Sequence, residues 1–172
     1  MLSQEQALEL FRKSGALLEG HFLLTSGRHS DRYVQCAQVL QYPEYTSLLC
    51  QEIAARFRGE KIDLVIGPAM GGILVAYETA RHLKVPNLFT ERENGKMTLR
   101  RGFAVRPGQR VLVVEDVITT GGSVREVIDV VRAAGAEVAG VAVLVDRSGG
   151  KVGFGVRKEA VIAMEVPSWD KE

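Results

Sequence analysis

Apolar residues fall along this chain in two alternating patterns: short unbroken runs, and stripes spaced three and four residues apart. The first stripe is Ala7, Leu8, Leu10 and Phe11. Ser3 and Gln6 read as a capping box at its start, and Gly15 as its stop. Residues 21–24 and 33–39 read as extended, separated by the turn-like segment SGRHSD. Pro43 suits the first turn of a second helix, with Tyr45, Leu48, Leu49, Ile53 and Phe57 at helical spacing and Gly59 to end it.

Residues 62–66 form a short apolar run with β-branched side chains, which predicts a buried strand. The loop GPAMGG follows. Ile73, Leu74, Tyr77 and Ala80 then mark a third helix, with Arg81, His82 and Lys84 at the end where the helix dipole favours cations. Residues 87–90 and 111–114 read as further strands. The helix after the latter carries Val124, Val127, Ile128 and Val131, with Ser123 and Glu126 as a second capping box and Gly135 just past its end. Residues 138–145 form another apolar strand. Strand and helix alternating from 62 to 145 predict an α/β domain with a mainly parallel sheet flanked by helices. Ligands bind beyond the carboxyl ends of the strands in such sheets. The loops GPAMGG, EDVITTGGS and DRSGG all fall there.

A length of 172 residues predicts one domain, 1–172, with a substantial core. The net charge of +1 supplies no bulk field for nucleic acid, so any anion binding must be local. Cys36 and Cys50 lack metal-ligand spacing and read as reduced, core-facing thiols. The start MLSQEQALELF has no basic segment of the signal-peptide kind, and no apolar run approaches the roughly 20 residues of a membrane span. The expectation is a cytoplasmic protein with no membrane partner.

The segment VLVVEDVITTGGS carries the most chemistry. An apolar run ends in Glu115 and Asp116, then Thr119, Thr120, Gly121 and Gly122 lead into a helix at Ser123. Free backbone N–H groups and the helix dipole favour an anion there, and the adjacent acids suit hydroxyls or a metal. A sugar phosphate meets both demands. The loop is neither GxxxxGK[ST] nor GxGxxG, which disfavours triphosphatase chemistry and a dinucleotide.

This segment resembles the phosphoribosyl-pyrophosphate (PRPP) signature of the type I phosphoribosyltransferases. LLTSGRHSDRYV, GPAMGG, ERENGKMTLRRGF and LVDRSGG, in that order, resemble the orotate phosphoribosyltransferases over about the whole chain. The resemblance implies the type I phosphoribosyltransferase fold, with a small N-terminal hood from about 1–40 plus a C-terminal segment. It also implies a core of about 44–150 and a mobile lid loop of about 91–102. The implied reaction joins orotate to PRPP with Mg²⁺, giving orotidine 5′-monophosphate and pyrophosphate in pyrimidine synthesis.

By the same resemblance, Glu115 and Asp116 would meet the ribose hydroxyls. Val117, Ile118, Thr119, Thr120, Gly121, Gly122 and Ser123 would hold PRPP, chiefly through backbone N–H groups at its 5′-phosphate. Thr119 and Arg147 would contact orotate, whose carboxylate suits a guanidinium fork. Lys96, then Arg92, are the leading lid cations for the leaving pyrophosphate, with Arg100 and Arg101 as alternatives. Asp116, Lys96 and Arg92 form the expected catalytic set. Mg²⁺ would be held mainly by PRPP and water, with no dedicated protein ligands. The lid would act across a homodimer. The bland reading of 91–102 is a solvated hairpin, the usual fate of a charge run.

Some positions depart from the family pattern. Met70 and Gly71 stand where many members have a Tyr-Lys pair, Thr25 where many have a lysine, and Thr98 about where a lid histidine is common. Arg28, Arg100 and Arg101 could carry the displaced charge. His82 reads as a helix-end cap, and neither it nor His29 is given a catalytic role. Two alternatives stay open: a phosphoribosyltransferase for a purine or another base, and a non-catalytic PRPP-sensing regulator. The regulator would be expected to carry a nucleic-acid-binding element or a strongly basic face.

Overall fold

The computed structural model describes residues 1–23, 27–165 and 168–169. Two sheets organise the chain. The larger has six strands: β3 (Leu64–Pro68), β4 (Asn87–Glu93), β5 (Lys96–Leu99), β6 (Arg110–Ile118), β7 (Glu137–Asp146) and β8 (Lys158–Ala163). Their order is β5-β4-β3-β6-β7-β8, parallel throughout except for the antiparallel β4–β5 pair. The smaller sheet joins β1 (Leu17–Leu23), β2 (His29–Val34) and β9 (Ser168–Trp169), all antiparallel. Among the described residues five helices complete the fold: α1 (Gln4–Ser14), α2 (Cys36–Leu40), α3 (Pro43–Arg56), α4 (Gly71–Leu83) and α5 (Gly122–Ala133).

The unbroken apolar runs are explained by burial on both faces of the large sheet. Val65, Leu112, Val114, Ala142 and Leu144 pack with residues of α1 to α4. Their sequence neighbours Leu64, Ile66, Val111, Val113, Val141 and Val143 face the other way, onto α5. A period of two therefore feeds two separate cores. Each such side chain contributes about 1.5–3 kcal/mol by leaving water. The core strands are thus a rigid platform for the loops at their carboxyl ends.

Local signals set several helix ends. Ser3 and Gln6 form the reciprocal capping box of α1, and Gly15 closes it in the left-handed conformation. Pro43 occupies the first turn of α3, and Gly135 (φ +78°) follows α5.

Several expectations are corrected. The stretch read as extended from 33 to 39 holds only the end of β2, which begins earlier at His29, inside the presumed turn; Cys36–Leu40 is a short helix. Cross-strand pairing with β1 holds His29, Ser30, Arg32 and the residues that follow in the ladder, overriding their turn-like composition. The Ser123–Glu126 capping box does not form: α5 is capped by Gly121, which lies in the left-handed region, and Arg92 binds Glu126 instead. β6 continues through Ile118, so the acid pair belongs to a strand and not to a loop. α3 ends at Arg56, ahead of Gly59. Leu74 and Tyr77, two of the apolar positions that mark α4, are exposed. His82 does not cap its own helix; its Nε2 meets Ser47 Oγ on α3 at 3.0 Å. Thr25 lies outside the described residues.

Candidate active site at the carboxyl ends of the strands

β3 and β6 are neighbours, yet the chain leaves them in opposite directions. From β3 it passes through α4 to β4; from β6 it passes through α5 to β7 on the other side. The strand order therefore reverses between them, and the crevice beyond their ends is where an α/β sheet binds ligands. GPAMGG lines one side of it and residues 119–122 the other.

The acid pair sits in this crevice. Glu115 is buried, and its Oε1 accepts a hydrogen bond from the Asp116 backbone N–H at 3.0 Å. Burial pushes its carboxyl up to about 9, helped by the neighbouring Asp116 carboxylate. Glu115 therefore favours its protonated form at neutral pH. GPAMGG approaches so closely that a Cβ on Gly71 would lie 2.1 Å from Asp116 Oδ2, and one on Gly72 3.2 Å from Glu115 Oε1. Glycine is the residue type that lets α4 begin against these carboxylates. Met70, beside them, is exposed, and no basic side chain follows it in this loop.

Beyond the acids lies a cavity of about 240 Å³, lined by Arg92, Glu115, Glu126 and the run from Val117 to Val124. All of Val117, Ile118, Thr119, Thr120, Gly121, Gly122 and Ser123 border it. It opens on the N-terminus of α5, where unpaired N–H groups and the dipole favour an anion. Gly121 has φ +82°, and a Cβ there would lie 2.7 Å from the Phe154 ring. The loop is therefore shaped by a glycine-only conformation and by the segment packed behind it.

That segment follows β7. Asp146, fully buried, accepts Lys158 Nζ at 2.7 Å and the Ser148 N–H and hydroxyl at 2.8 and 2.6 Å. Burial alone would raise the Asp146 carboxyl; the Lys158 and Ser148 contacts outweigh it and hold it below its usual value. Arg147 donates its backbone N–H to Ile118 O at 2.9 Å, which sets it beside the end of β6. Its Nε is buried with no hydrogen-bond partner among the described residues. Cys36 lies close enough to feel Asp116, Glu115 and Arg147. Burial, then the two acids, push its thiol well above the usual range, so it stays a neutral S–H.

The stretch expected to act as a lid is a hairpin. Glu93 faces Lys96 and Arg92 faces Met97 across a turn at Asn94 and Gly95, which have φ +53° and +77°. Both values suit the tight hairpin turn favoured by Asn-Gly. Arg92 reaches the phosphate-type cavity and is clamped there by both Glu126 oxygens at 2.8 Å. Lys96 is exposed and lines a different groove, between β5 and α5, together with Thr98. Arg101 pairs with Glu91 at 2.7 Å and Arg100 with Glu93 at 3.4 Å, so both serve the hairpin's own acids. The structure thus brings Arg92, the acid pair, residues 117–123 and Arg147 together, and leaves Lys96, Arg100 and Arg101 outside that cluster.

The phosphoribosyl transferase domain family matches residues 42–153. The chain is 62% identical over 171 residues to the orotate phosphoribosyltransferase of Desulforamulus reducens, covering 99% of this chain and 90% of that one. It is 66% identical over 173 residues to the enzyme of the same name from Heliobacterium modesticaldum, covering 99% and 91%. The chain belongs to the orotate phosphoribosyltransferase family. A crystal structure of the orotate phosphoribosyltransferase from Aeropyrum pernix shares this family fold, with a TM-score of 0.74 at 32% identity over 90% of this chain and 91% of that one.

Within this orotate phosphoribosyltransferase fold, sequence reasoning missed Lys158, Arg125, Phe154 and the role of Glu126. Lys158 gave no signal, because a lone lysine at a strand start usually faces water. Arg125 did: a cation in the first turn of a helix opposes the dipole and calls for a compensating contact.

Proposed function

We propose that the protein transfers the phosphoribosyl group of PRPP to orotate, releasing pyrophosphate and forming orotidine 5′-monophosphate. The observation that carries this reading is the position of Arg147. Its Nε, buried and with no hydrogen-bond partner among the described residues, belongs to the residue just past the end of β7, which adjoins the sugar-phosphate site. Orotate's carboxylate would complete that guanidinium, whereas a purine offers no carboxylate.

The chemistry breaks the bond from ribose C1 to the pyrophosphate oxygen and forms one from C1 to a ring nitrogen of orotate. Positive character grows on the sugar and negative charge on the leaving group. In our reading the loop N–H groups of residues 119–123 fix the 5′-phosphate, and the acid pair orients the ribose hydroxyls. The Glu115 proton matters here, because one acid can then donate while Asp116 accepts. Arg92, with Lys96 after hairpin movement, would meet the pyrophosphate. The ring nitrogen is the nucleophile, so the chain needs none.

The oxygen-rich crevice suits Mg²⁺, a hard ion that keeps several waters and favours phosphate oxygens. When bound, it would neutralise the leaving pyrophosphate. PRPP and water would hold it, with Asp116 the carboxylate of this chain nearest in kind to a ligand. Removing divalent cations with EDTA is expected to abolish turnover, and added Mg²⁺ to restore it.

We further propose a homodimer. Leu48, Leu74 and Tyr77 lie exposed along a groove of about 700 Å³ between α3 and α4, rimmed by Glu78 and Arg81. α4 starts against the acid pair, and Met70 extends its exposed apolar surface to the crevice. A second copy seated there would adjoin the active site.

The test of the base assignment is Arg147→Ala. The KM for orotate should rise about 10- to 100-fold, the value of a charge-assisted hydrogen bond, while the KM for PRPP changes little. An unchanged orotate KM would contradict the assignment.

A further inference from the structure

The phosphate-type loop and the segment after β7 are joined by a side chain that the reaction itself does not require. Arg125 Nη1 donates to Thr120 O at 2.6 Å, on the loop. Its Nη2 donates to Gly153 O at 3.3 Å, on the post-β7 segment. The same guanidinium lies 5.3 Å from the centroid of the Phe154 ring. Phe154 in turn rests on Gly121, where its Cε1 would be 2.7 Å from any Cβ, and Val152 Cγ1 closes in at 3.0 Å. Three contacts of different kinds thus meet across one boundary.

Both sides of that boundary are internally stiff. Val152 N–H donates to Ser148 Oγ at 3.0 Å, and Lys158 Nζ donates to Val152 O. Lys158 and Ser148 also hold Asp146, next to Arg147. The stretch from Asp146 to Val152 is therefore one hydrogen-bonded unit, and Phe154 follows it two residues on. On the other side, Gly121 is both the cap of α5 and part of the cavity wall. This unit and the Phe154–Gly121 contact form a continuous path from Arg147 to the phosphate-type loop.

We propose that Arg125 is a positioning residue that couples the base subsite to the phosphate subsite, so that filling either one tightens the other. The inference rests on the orotate reading above. A ligand that shifts one side of this boundary shifts the other through the Arg125 and Phe154 contacts, so the second ligand meets a subsite already set by the first, which is positive coupling between two sites. A planar fork can bond two carbonyls and stack on a ring at once; a lysine ammonium at the same place cannot reproduce that geometry. Arg125 touches neither reacting group, and its exposed position makes its replacement mild for folding.

The experiment measures orotate affinity calorimetrically, with and without saturating ribose 5-phosphate, in the wild type, Arg125→Met, Arg125→Lys and Phe154→Leu. In the wild type, ribose 5-phosphate should tighten orotate by at least about 5-fold, the lower end of ordinary site-to-site coupling. In Arg125→Met the ratio should fall towards one, with Arg125→Lys and Phe154→Leu in between. A purely structural role would lower the melting temperature and weaken both states alike, leaving the ratio at its wild-type value. That result, or a wild-type ratio of one, overturns the proposal. Absence of orotate binding under both conditions would instead overturn the functional reading, and this inference with it.

Discussion

Glu115 favours its protonated form because two effects point the same way: burial disfavours its charge, and so does the Asp116 side chain beside it. The folded carboxyl sits near 9, against about 4.5 for an ordinary glutamate. The folded state thus keeps a proton that the unfolded chain releases, and stability falls as pH rises across that window. Glu115→Gln removes the effect. In the ligand-free protein the variant's melting temperature should match the wild type near pH 5 and exceed it by at least about 3 °C at pH 9, the shift that roughly 1 kcal/mol produces in a chain of this size. A gap that does not grow with pH would contradict a protonated Glu115. Gly71 offers a steric test at the same scale. Gly71→Ala would place a Cβ on Asp116, and kcat should fall about 10²-fold, as misplacements near 1 Å do. Unchanged kcat would mean that the loop moves and the acid does not.

Whether the hairpin β4–β5 is also a lid is a question about an element. Its charges were legible in the sequence, but their partners were not. Lys96 ranked ahead of Arg92, with Arg100 and Arg101 as alternatives, and only strand register and the facing α5 separate the three arginines: Arg92 goes to Glu126 and the cavity, the others to Glu91 and Glu93. If the hairpin moves to deliver Lys96 to pyrophosphate, Lys96→Ala should lower kcat by about 10²-fold, comparable to losing one charge-stabilising donor, with no change in melting temperature. A Lys96→Ala enzyme of normal kcat would leave Arg92 as the hairpin's contribution. Elements with local signals, such as the α1 box and the Pro43 start, were readable from the chain because their causes lie within a few residues. The bounds of β2 and the existence of β8 were not, because the ladders with β1 and β7 decide them. The start of α5 was misread for the same reason: Glu126 answers to Arg92, 34 residues away.

At the scale of the molecule, the alternation from 62 to 145 fixed the α/β class, because each parallel strand needs a crossover helix and both sheet faces must be covered. The site followed from that topology, since Glu115, Asp116, the 119–123 loop and Arg147 all lie at strand ends. Sequence could not show what braces them, and Lys158, Phe154 and Arg125 come from outside the recognisable segments. The proposed dimer has its own test. Leu74→Asp combined with Tyr77→Asp should convert the protein to a monomer by sedimentation, and mixing the impaired Lys96→Ala and Asp116→Asn proteins should raise activity above that of either alone if the hairpin works across the interface. No recovery on mixing, with subunit exchange verified, would confine each site to one chain. The central claim is the base itself. The most direct measurement is pyrophosphate release with PRPP, Mg²⁺ and a panel of bases containing orotate, uracil, adenine, guanine and hypoxanthine. The account predicts turnover with orotate alone; turnover with a purine and not with orotate would contradict it.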